Sequence, residues 1–126
     1  MNKEEGFIRN RLRSFKFAFA GAWALIRKEP SVQVQAGTGI LVTLAGIYFE
    51  IDRIEWIFQI LAMGLVLSAE GLNTAIEKIS DFIHPEFHVK IGEIKDVSAG
   101  AVTFAALAAL GVGIFIYAPR VAALFN

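Results

Sequence analysis

Apolar and charged residues follow one another in blocks along this chain of 126 residues. In the first block, apolar residues recur at three- and four-residue steps, as at Phe15, Phe19, Trp23 and Ile26, while arginine and lysine occupy the other faces. This spacing predicts an amphipathic helix over about residues 5–28, suited to the plane of a membrane interface. The alternative is a core-packed helix of a soluble bundle, and the rest of the chain argues against it.

Three long apolar stretches follow, over residues 31–49, 56–80 and 97–118. The first and third carry no charge, and about 20 apolar residues are enough to cross a hydrocarbon core of roughly 30 Å. The second opens with Trp56, an aromatic residue typical of the membrane interface. The pattern predicts an all-α membrane protein of one domain, 1–126, with an N-terminal interfacial helix and three transmembrane helices.

Two polar segments connect these stretches. Residues 50–55 form a short acidic turn, and residues 81–96 include Pro85, Gly92 and most of the remaining charges, which predicts a loop or a broken helical connection. Basic residues before position 30 place the N-terminal segment in the cytoplasm by the positive-inside rule. The acidic turn then lies outside, and the 81–96 loop is cytoplasmic.

Composition supports the membrane assignment and excludes some kinds of site. The hydrophobic fraction is 56%, above that of ordinary soluble domains. The chain has no cysteine, which excludes disulfides and thiolate metal sites. Its net charge is zero, and its basic N-terminal residues are followed by apolar stretches, so they fit a bilayer with anionic headgroups better than a nucleic-acid partner.

Glu70, Asn73 and Glu77 stand on one stripe of the second membrane helix. A charge at the centre of such a helix costs about 2.5 to 3.5 kcal/mol, so it usually meets a partner, a cavity or an ion. One reading is a structural pairing with Lys78, Lys95 or an arginine of the first helix. In the other reading, Glu77 and Glu29 bind a divalent cation, and Mg²⁺ fits because it prefers oxygen ligands. Glu70 is then the base that takes a proton from an alcohol.

The 81–96 segment adds further polar groups near the same membrane face, and Lys95 is suited to neutralise a phosphate. No Walker-type glycine loop is present, so a nucleotide would need a different, carboxylate-and-lysine arrangement. The polar candidates of this segment are Glu86, His88, Lys95 and Asp96.

Residues 70–77, which read E-G-L-N-T-A-I-E, resemble the signature of the bacterial integral-membrane diacylglycerol kinase and undecaprenol kinase family. Lys95-Asp96, the stretch 98–102, Arg13-Ser14-Phe15 and Glu29 support that resemblance, which extends over nearly the whole chain. It implies an ATP-dependent lipid kinase, a homotrimer with sites completed by neighbouring subunits, in the bacterial inner membrane.

The resemblance also implies roles for individual residues. Glu70 would act as base on the lipid hydroxyl, Asn73 would position the reacting groups, and Glu29 and Glu77 would bind the Mg²⁺ of ATP. Arg9 or Arg13 would lie near phosphate or headgroup. The nucleotide site would be lined by Arg13, Phe17, Glu86, His88, Lys95 and Asp96 as well as the two metal ligands.

Pro30, Ser31 and Gln35 depart from the family pattern, which affects the expected contacts to the lipid headgroup and leaves phosphoryl transfer unaffected. Asn73-Thr74 and the 99–102 stretch favour the undecaprenol branch over diacylglycerol. The alternative function is a small ion- or proton-conducting membrane subunit in which Glu70 and Glu77 line a water-filled path.

Overall fold

The computed structural model describes residues 3–126 and folds them into four α-helices joined by short connections. In chain order they are α1 (Lys3–Lys28), α2 (Pro30–Tyr48), α3 (Arg53–Ile83) and α4 (Val89–Leu124). Residues 3–126 contain no strand, so the predicted all-α fold is confirmed.

The first helix, α1, keeps its side chains at the surface. Glu4 and Glu5 in its first turn and Arg27 and Lys28 in its last turn carry the charges that the helix dipole favours at each end. None of its residues is buried, and Trp23 is 63% exposed. The core helix of a soluble bundle would bury its apolar stripe, so that alternative is wrong and the stripe of α1 is available to a membrane interface.

A sharp corner at Glu29 joins α1 to α2. The residue has an extended backbone, with φ −101° and ψ 112°, because the ring of Pro30 excludes helical geometry from the position before it. Pro30 itself occupies the first turn of α2, where its missing N–H leaves no hydrogen bond unmade. The corner therefore fixes Glu29 at the start of α2 and turns the chain toward α3.

The turn between α2 and α3 is shorter than the acidic turn predicted over residues 50–55. Asp52 is the N-cap of α3: its carboxylate accepts from the Glu55 N–H at 2.9 Å, and the Glu55 carboxylate accepts from the Asp52 N–H at 3.1 Å. This capping box starts the helix at Arg53, three residues before the predicted start at Trp56.

The predicted loop over residues 81–96 is also wrong in extent. The connection between α3 and α4 comprises residues 84–88 alone, and α4 begins at Val89 with the His88 ring accepting from the Lys90 N–H at 3.0 Å. Gly92 lies within the helix, where its N–H donates to His88 at 2.9 Å. Lys95 and Asp96 are therefore helical residues held on a rigid element.

Within residues 3–126, α3 and α4 are the two helices long and apolar enough to cross a membrane, judged by length and composition. The 19 residues of α2 carry no charge but include Gln33 and Gln35, and its membrane crossing stays a prediction. Most large apolar side chains face outward, and the buried apolar residues are few: Val32, Ile51, Val66, Ala105 and Ile116. The fold thus offers its apolar surface to lipid or to other subunits.

Polar contacts join α2, α3 and α4 at one end. Arg120 of α4 donates two hydrogen bonds of 2.6 Å to the carboxylate of Glu55 on α3. One turn deeper, the Tyr117 hydroxyl donates to the Val42 carbonyl of α2 at 3.0 Å and also bonds Gln59 of α3. We call this the far end. The opposite end, which holds Glu29, Glu77 and Lys95, is the site end.

Candidate functional site

The site end is organised by the second half of α3. Val66, Glu70 and Thr74 follow one another at four-residue steps and are all buried, with Glu70 only 7% exposed. They form the inward face of α3. The sequence-predicted stripe of Glu70, Asn73 and Glu77 thus runs from this face toward the surface, since Glu77 is exposed.

Asn73 and Glu77 are linked directly. The Asn73 amide donates from Nδ2 to the Glu77 carboxylate at 3.2 Å. The other amide atom, Oδ1, is buried and has no hydrogen-bond partner among residues 3–126. A buried acceptor without a partner costs about 1–3 kcal/mol, so this oxygen is placed to receive a donor or a cation from a ligand.

Glu29 lies against the same segment of α3. Its carboxylate is 3.2 Å from the Lys78 ammonium and 24% exposed, whereas Lys78 is 68% exposed. Just before Glu29, the Leu25 side chain of α1 lies close to α3, since a Cβ at Gly71 would be 3.0 Å from its Cδ1 atom. The structure therefore brings Glu29 beside the residue that follows Glu77.

The carboxyls of Glu70 and Glu77 form no ion pair with any residue of 3–126. Lys78 pairs with Glu29, and Lys95 pairs with Asp81 at 2.7 Å. The structural pairing that the sequence left open is therefore not formed within the described chain. Both carboxyls are available for chemistry on a ligand.

The other predicted residues of the 81–96 segment divide into two groups. His88 caps α4, and its ring packs edge-on against His84 with centroids 5.3 Å apart. The backbone oxygen of Glu86 lies 2.7 Å from the His84 ring nitrogen. No hydrogen bond or ion pair in residues 3–126 links Glu86 or His88 to Lys95 or to the exposed Asp96. The fold gathers the four at one end without joining them.

The predicted residues of α1 are not brought to α3 within one chain. Phe17 is 67% exposed and Arg13 is exposed, and the contact of α1 with α3 is made by Leu25, two to three turns later. Arg9 is likewise exposed. Within one chain these three residues therefore do not join the stripe on α3.

An apolar groove of about 570 Å³ opens between α3 and α4 beside Asn73. Its walls are mostly aliphatic, with Leu72 and Ile76 from α3 and Ile94 and Val97 from α4. The polar lining residues are Asn73, Glu93 and Ser98, so Asn73 is the member of the stripe that a ligand in this groove would meet. The sequence did not single out the groove, because it depends on the register of two helices.

Asp81 and Lys78 also carry charge at the site end and were missed as site residues. The signal for Asp81 is its position four residues after Glu77, which continues the same stripe by one turn. The signal for Lys78 is weaker, since only the bend at Pro30 brings Glu29 to it.

These features define a small helical membrane protein with a carboxylate-rich polar site at one membrane face and an apolar groove beside it. The chain belongs to the prokaryotic diacylglycerol kinase family, whose pattern it matches over residues 16–117. It is therefore a lipid kinase of a bacterial membrane, and the family predicted from residues 70–77 is confirmed. The ion-conducting alternative is set aside by this membership.

Named relatives agree with the family. The undecaprenol kinase of Bacillus subtilis is 35% identical over 108 residues, which cover 86% of this chain and 88% of the relative. The diacylglycerol kinase of Synechocystis is 33% identical over 105 residues, 82% of this chain, but these cover only 60% of that longer protein. The diacylglycerol kinase of Escherichia coli is 28% identical over 109 residues, covering 86% and 88%.

Proposed function

We propose that this protein transfers the γ-phosphate of ATP to the hydroxyl of a membrane lipid alcohol, with undecaprenol preferred over diacylglycerol. The observation that carries the proposal is the buried, unpaired carboxyl of Glu70 on the same stripe as the Asn73–Glu77 pair. A carboxyl withdrawn from water suits a base that acts on a lipid hydroxyl, and Asn73 of the same stripe lines the apolar groove between α3 and α4.

Glu70 is the proton acceptor in this proposal. The lipid hydroxyl attacks the γ-phosphorus in line with the departing β-phosphate oxygen of ATP, and its proton passes to the Glu70 carboxylate. The new bond joins the lipid oxygen to phosphorus, and ADP leaves with the electrons of the broken bond. Asn73, one turn along α3, is placed to orient the reacting groups through its buried Oδ1.

The polar atoms at the site end fit Mg²⁺. The carboxylates of Glu29 and Glu77 and the Oδ1 atom of Asn73 are hard oxygen donors, which Mg²⁺ prefers. Residues 3–126 bring no three His, Cys, Asp or Glu side chains together into a metal site. A Mg²⁺ ion at this end would take one or two carboxylates from the protein and its other ligands from water and phosphate. The bound cation would neutralise charge on the transferring phosphate.

Lys95 supplies a positive charge on the rigid start of α4, where it meets the phosphates. Glu86, His88 and Asp96 lie at the same end and are proposed to contact the nucleotide. Arg13 and Phe17 are proposed to complete the nucleotide site from a neighbouring subunit, because α1 holds them away from α3 in one chain. A homotrimer satisfies this requirement and covers part of the exposed apolar surface.

Undecaprenol is favoured as acceptor because the B. subtilis undecaprenol kinase is 35% identical, compared with 33% and 28% for the diacylglycerol kinases of Synechocystis and E. coli. We place the protein in the cytoplasmic membrane with the N-terminus and site end inside, since the basic residues of α1 and the phosphate-binding groups then meet cellular ATP.

Transfer of labelled γ-phosphate from ATP in mixed micelles tests the function. Undecaprenol and diacylglycerol are offered separately, each with Mg²⁺ and with a chelator. We expect Mg²⁺-dependent label in polyprenyl phosphate, and less in phosphatidic acid. Label mainly in phosphatidic acid would reverse the substrate preference. No Mg²⁺-dependent label in either lipid would refute the proposed reaction.

A further inference from the structure

We propose that Asp81 is a positioning residue that orients the Lys95 ammonium toward the phosphates of the nucleotide. The inference deepens the proposed function and rests on it, since Lys95 is taken there as the phosphate-binding lysine. The carrying observation is the 2.7 Å contact between the Lys95 Nζ atom and the Asp81 Oδ1 atom, which joins α4 to α3.

Asp81 lies on the same face of α3 as the stripe of Glu70, Asn73 and Glu77. It follows Glu77 by four residues and Glu70 by eleven, and eleven residues are close to three full turns of an α-helix. Its carboxylate therefore stands above Glu77 on the same side of α3, one turn nearer the membrane surface. The contact with Asp81 holds the Lys95 ammonium near the end of the stripe, where the phosphates of a nucleotide would lie if Glu77 held its Mg²⁺.

The position of Asp81 is unfavourable for α3 taken alone. It stands in the last turn of the helix, which contains no basic residue, and a negative charge there opposes the helix dipole. A residue that serves only the stability of α3 would be neutral or basic at this point. The contact with Lys95 gives the Asp81 carboxylate a role at this position that helix stability does not.

The pair is too exposed to act mainly as a clamp between helices. The side chains of Lys95 and Asp81 are 37% and 61% exposed, and ion pairs of this kind add little to stability. The helices are already joined across an interface that buries Ser80 and Ser98. The pair can still orient the Lys95 ammonium, because the lysine side chain has four flexible carbons and needs a fixed partner to hold its three N–H donors in one direction. One donor bonds Asp81 and two remain for phosphate oxygens.

Equilibrium dialysis of purified full-length protein against labelled ATP with Mg²⁺ tests the inference without requiring turnover. We expect Asp81→Asn to weaken MgATP binding by about threefold to tenfold, because the ammonium loses its orientation. In steady-state assays the KM for MgATP should rise by a similar factor, with a smaller change in kcat. Asp81→Glu keeps the carboxylate and should restore most of the affinity.

The same substitution in a Lys95→Met background separates positioning from a structural role. With the lysine gone, Asp81→Asn should change MgATP affinity less than about twofold, since the two residues act as a unit. Glu55→Gln is the matched control, because it breaks an ion pair at the far end and should lower the thermal midpoint with MgATP affinity unchanged.

Unchanged MgATP affinity in Asp81→Asn would overturn the inference, and so would an equal loss in the presence and absence of Lys95. Either result would leave the proposed kinase reaction standing if the wild-type protein transfers phosphate. Failure of the wild-type protein to transfer phosphate would instead refute the proposed reaction, and the dialysis result would still show whether Asp81 acts through Lys95.

Discussion

Glu70 is a carboxyl group that the fold withdraws from water and leaves without a charged partner. It is 7% exposed and lies between Val66 and Thr74 on the inward face of α3. A glutamate confined to structural use would be expected to pair with a nearby cation, yet Lys78 and Lys95 pair elsewhere. The residue is therefore suited to proton transfer, a role that demands a carboxylate oxygen and not merely a polar side chain.

Replacement of Glu70 by Gln should lower phosphoryl transfer by about 10²- to 10⁴-fold, the usual contribution of a general base. The amide keeps the size of the side chain, so MgATP affinity measured by dialysis should be unchanged. Glu50→Gln, an exposed position in the turn after α2, is the control and should keep wild-type activity. Retention of more than a tenth of the activity in Glu70→Gln would rule out the assignment as base.

Glu77 is predicted to act through its charge and not through its hydrogen bond. In Glu77→Gln the side-chain oxygen can still accept from Asn73, whose Nδ2 atom is 3.2 Å from the present carboxylate. The variant should need several-fold more Mg²⁺ for half-maximal activity, and raised Mg²⁺ should recover part of the rate. A Mg²⁺ titration of activity measures this shift, and an unchanged midpoint would exclude Glu77 as a metal ligand.

At the scale of helices, the sequence predicts which helices are present more accurately than it predicts where they begin and end. The three apolar stretches and the amphipathic first helix correspond to α1 to α4. The connection predicted over 81–96 spans only five residues in the structure, because α4 accommodates Gly92 and the charges around it at its polar start. The early start of α3 was visible in principle, since Asp52 and Glu55 form the D-x-x-E pattern of a capping box.

The ion pairs between residues far apart in the sequence could not be predicted from the sequence. Glu55 and Arg120 are separated by 65 residues, and nothing in either local pattern indicates that α3 and α4 meet in this register. The Glu29–Lys78 pair similarly depends on the corner at Pro30. The candidate stripe on α3 could be predicted because all of its members lie on one helix, where spacing alone decides which side chains share a face.

Gly46 tests the packing of α2 on α3. A Cβ at this position would lie 2.7 Å from the Trp56 ring and 3.1 Å from Ile51, so in Gly46→Ala either these side chains or the two helices must shift. We expect a loss of about 1–3 kcal/mol in unfolding free energy, seen as a lower thermal midpoint in detergent. Gly37→Ala on the same helix is the control, because a Cβ there meets nothing within 4 Å and alanine favours helix. Equal midpoints for the two variants would contradict the close approach.

For the molecule as a whole, the single chain is incomplete in two respects. Its large apolar side chains remain mostly exposed, and Arg13 and Phe17 stay on α1 away from the acidic stripe. Lipid accounts for part of the exposed surface, but lipid cannot bring α1 to α3. The homotrimer proposed above would do both if its ring set the α1 of each chain beside the α3 of the next.

Mixed oligomers test this arrangement. Arg13→Glu and Glu70→Gln are each expected to abolish activity, and co-reconstitution from denaturant in equal amounts should restore up to about a quarter of the wild-type rate if sites combine α1 of one subunit with α3 of another. A mixture of Glu70→Gln with Glu77→Gln is the control, since both changes fall on α3 and no site regains an intact stripe. Recovery in neither mixture, with oligomers shown to exchange subunits, would mean that no site combines α1 of one subunit with α3 of another.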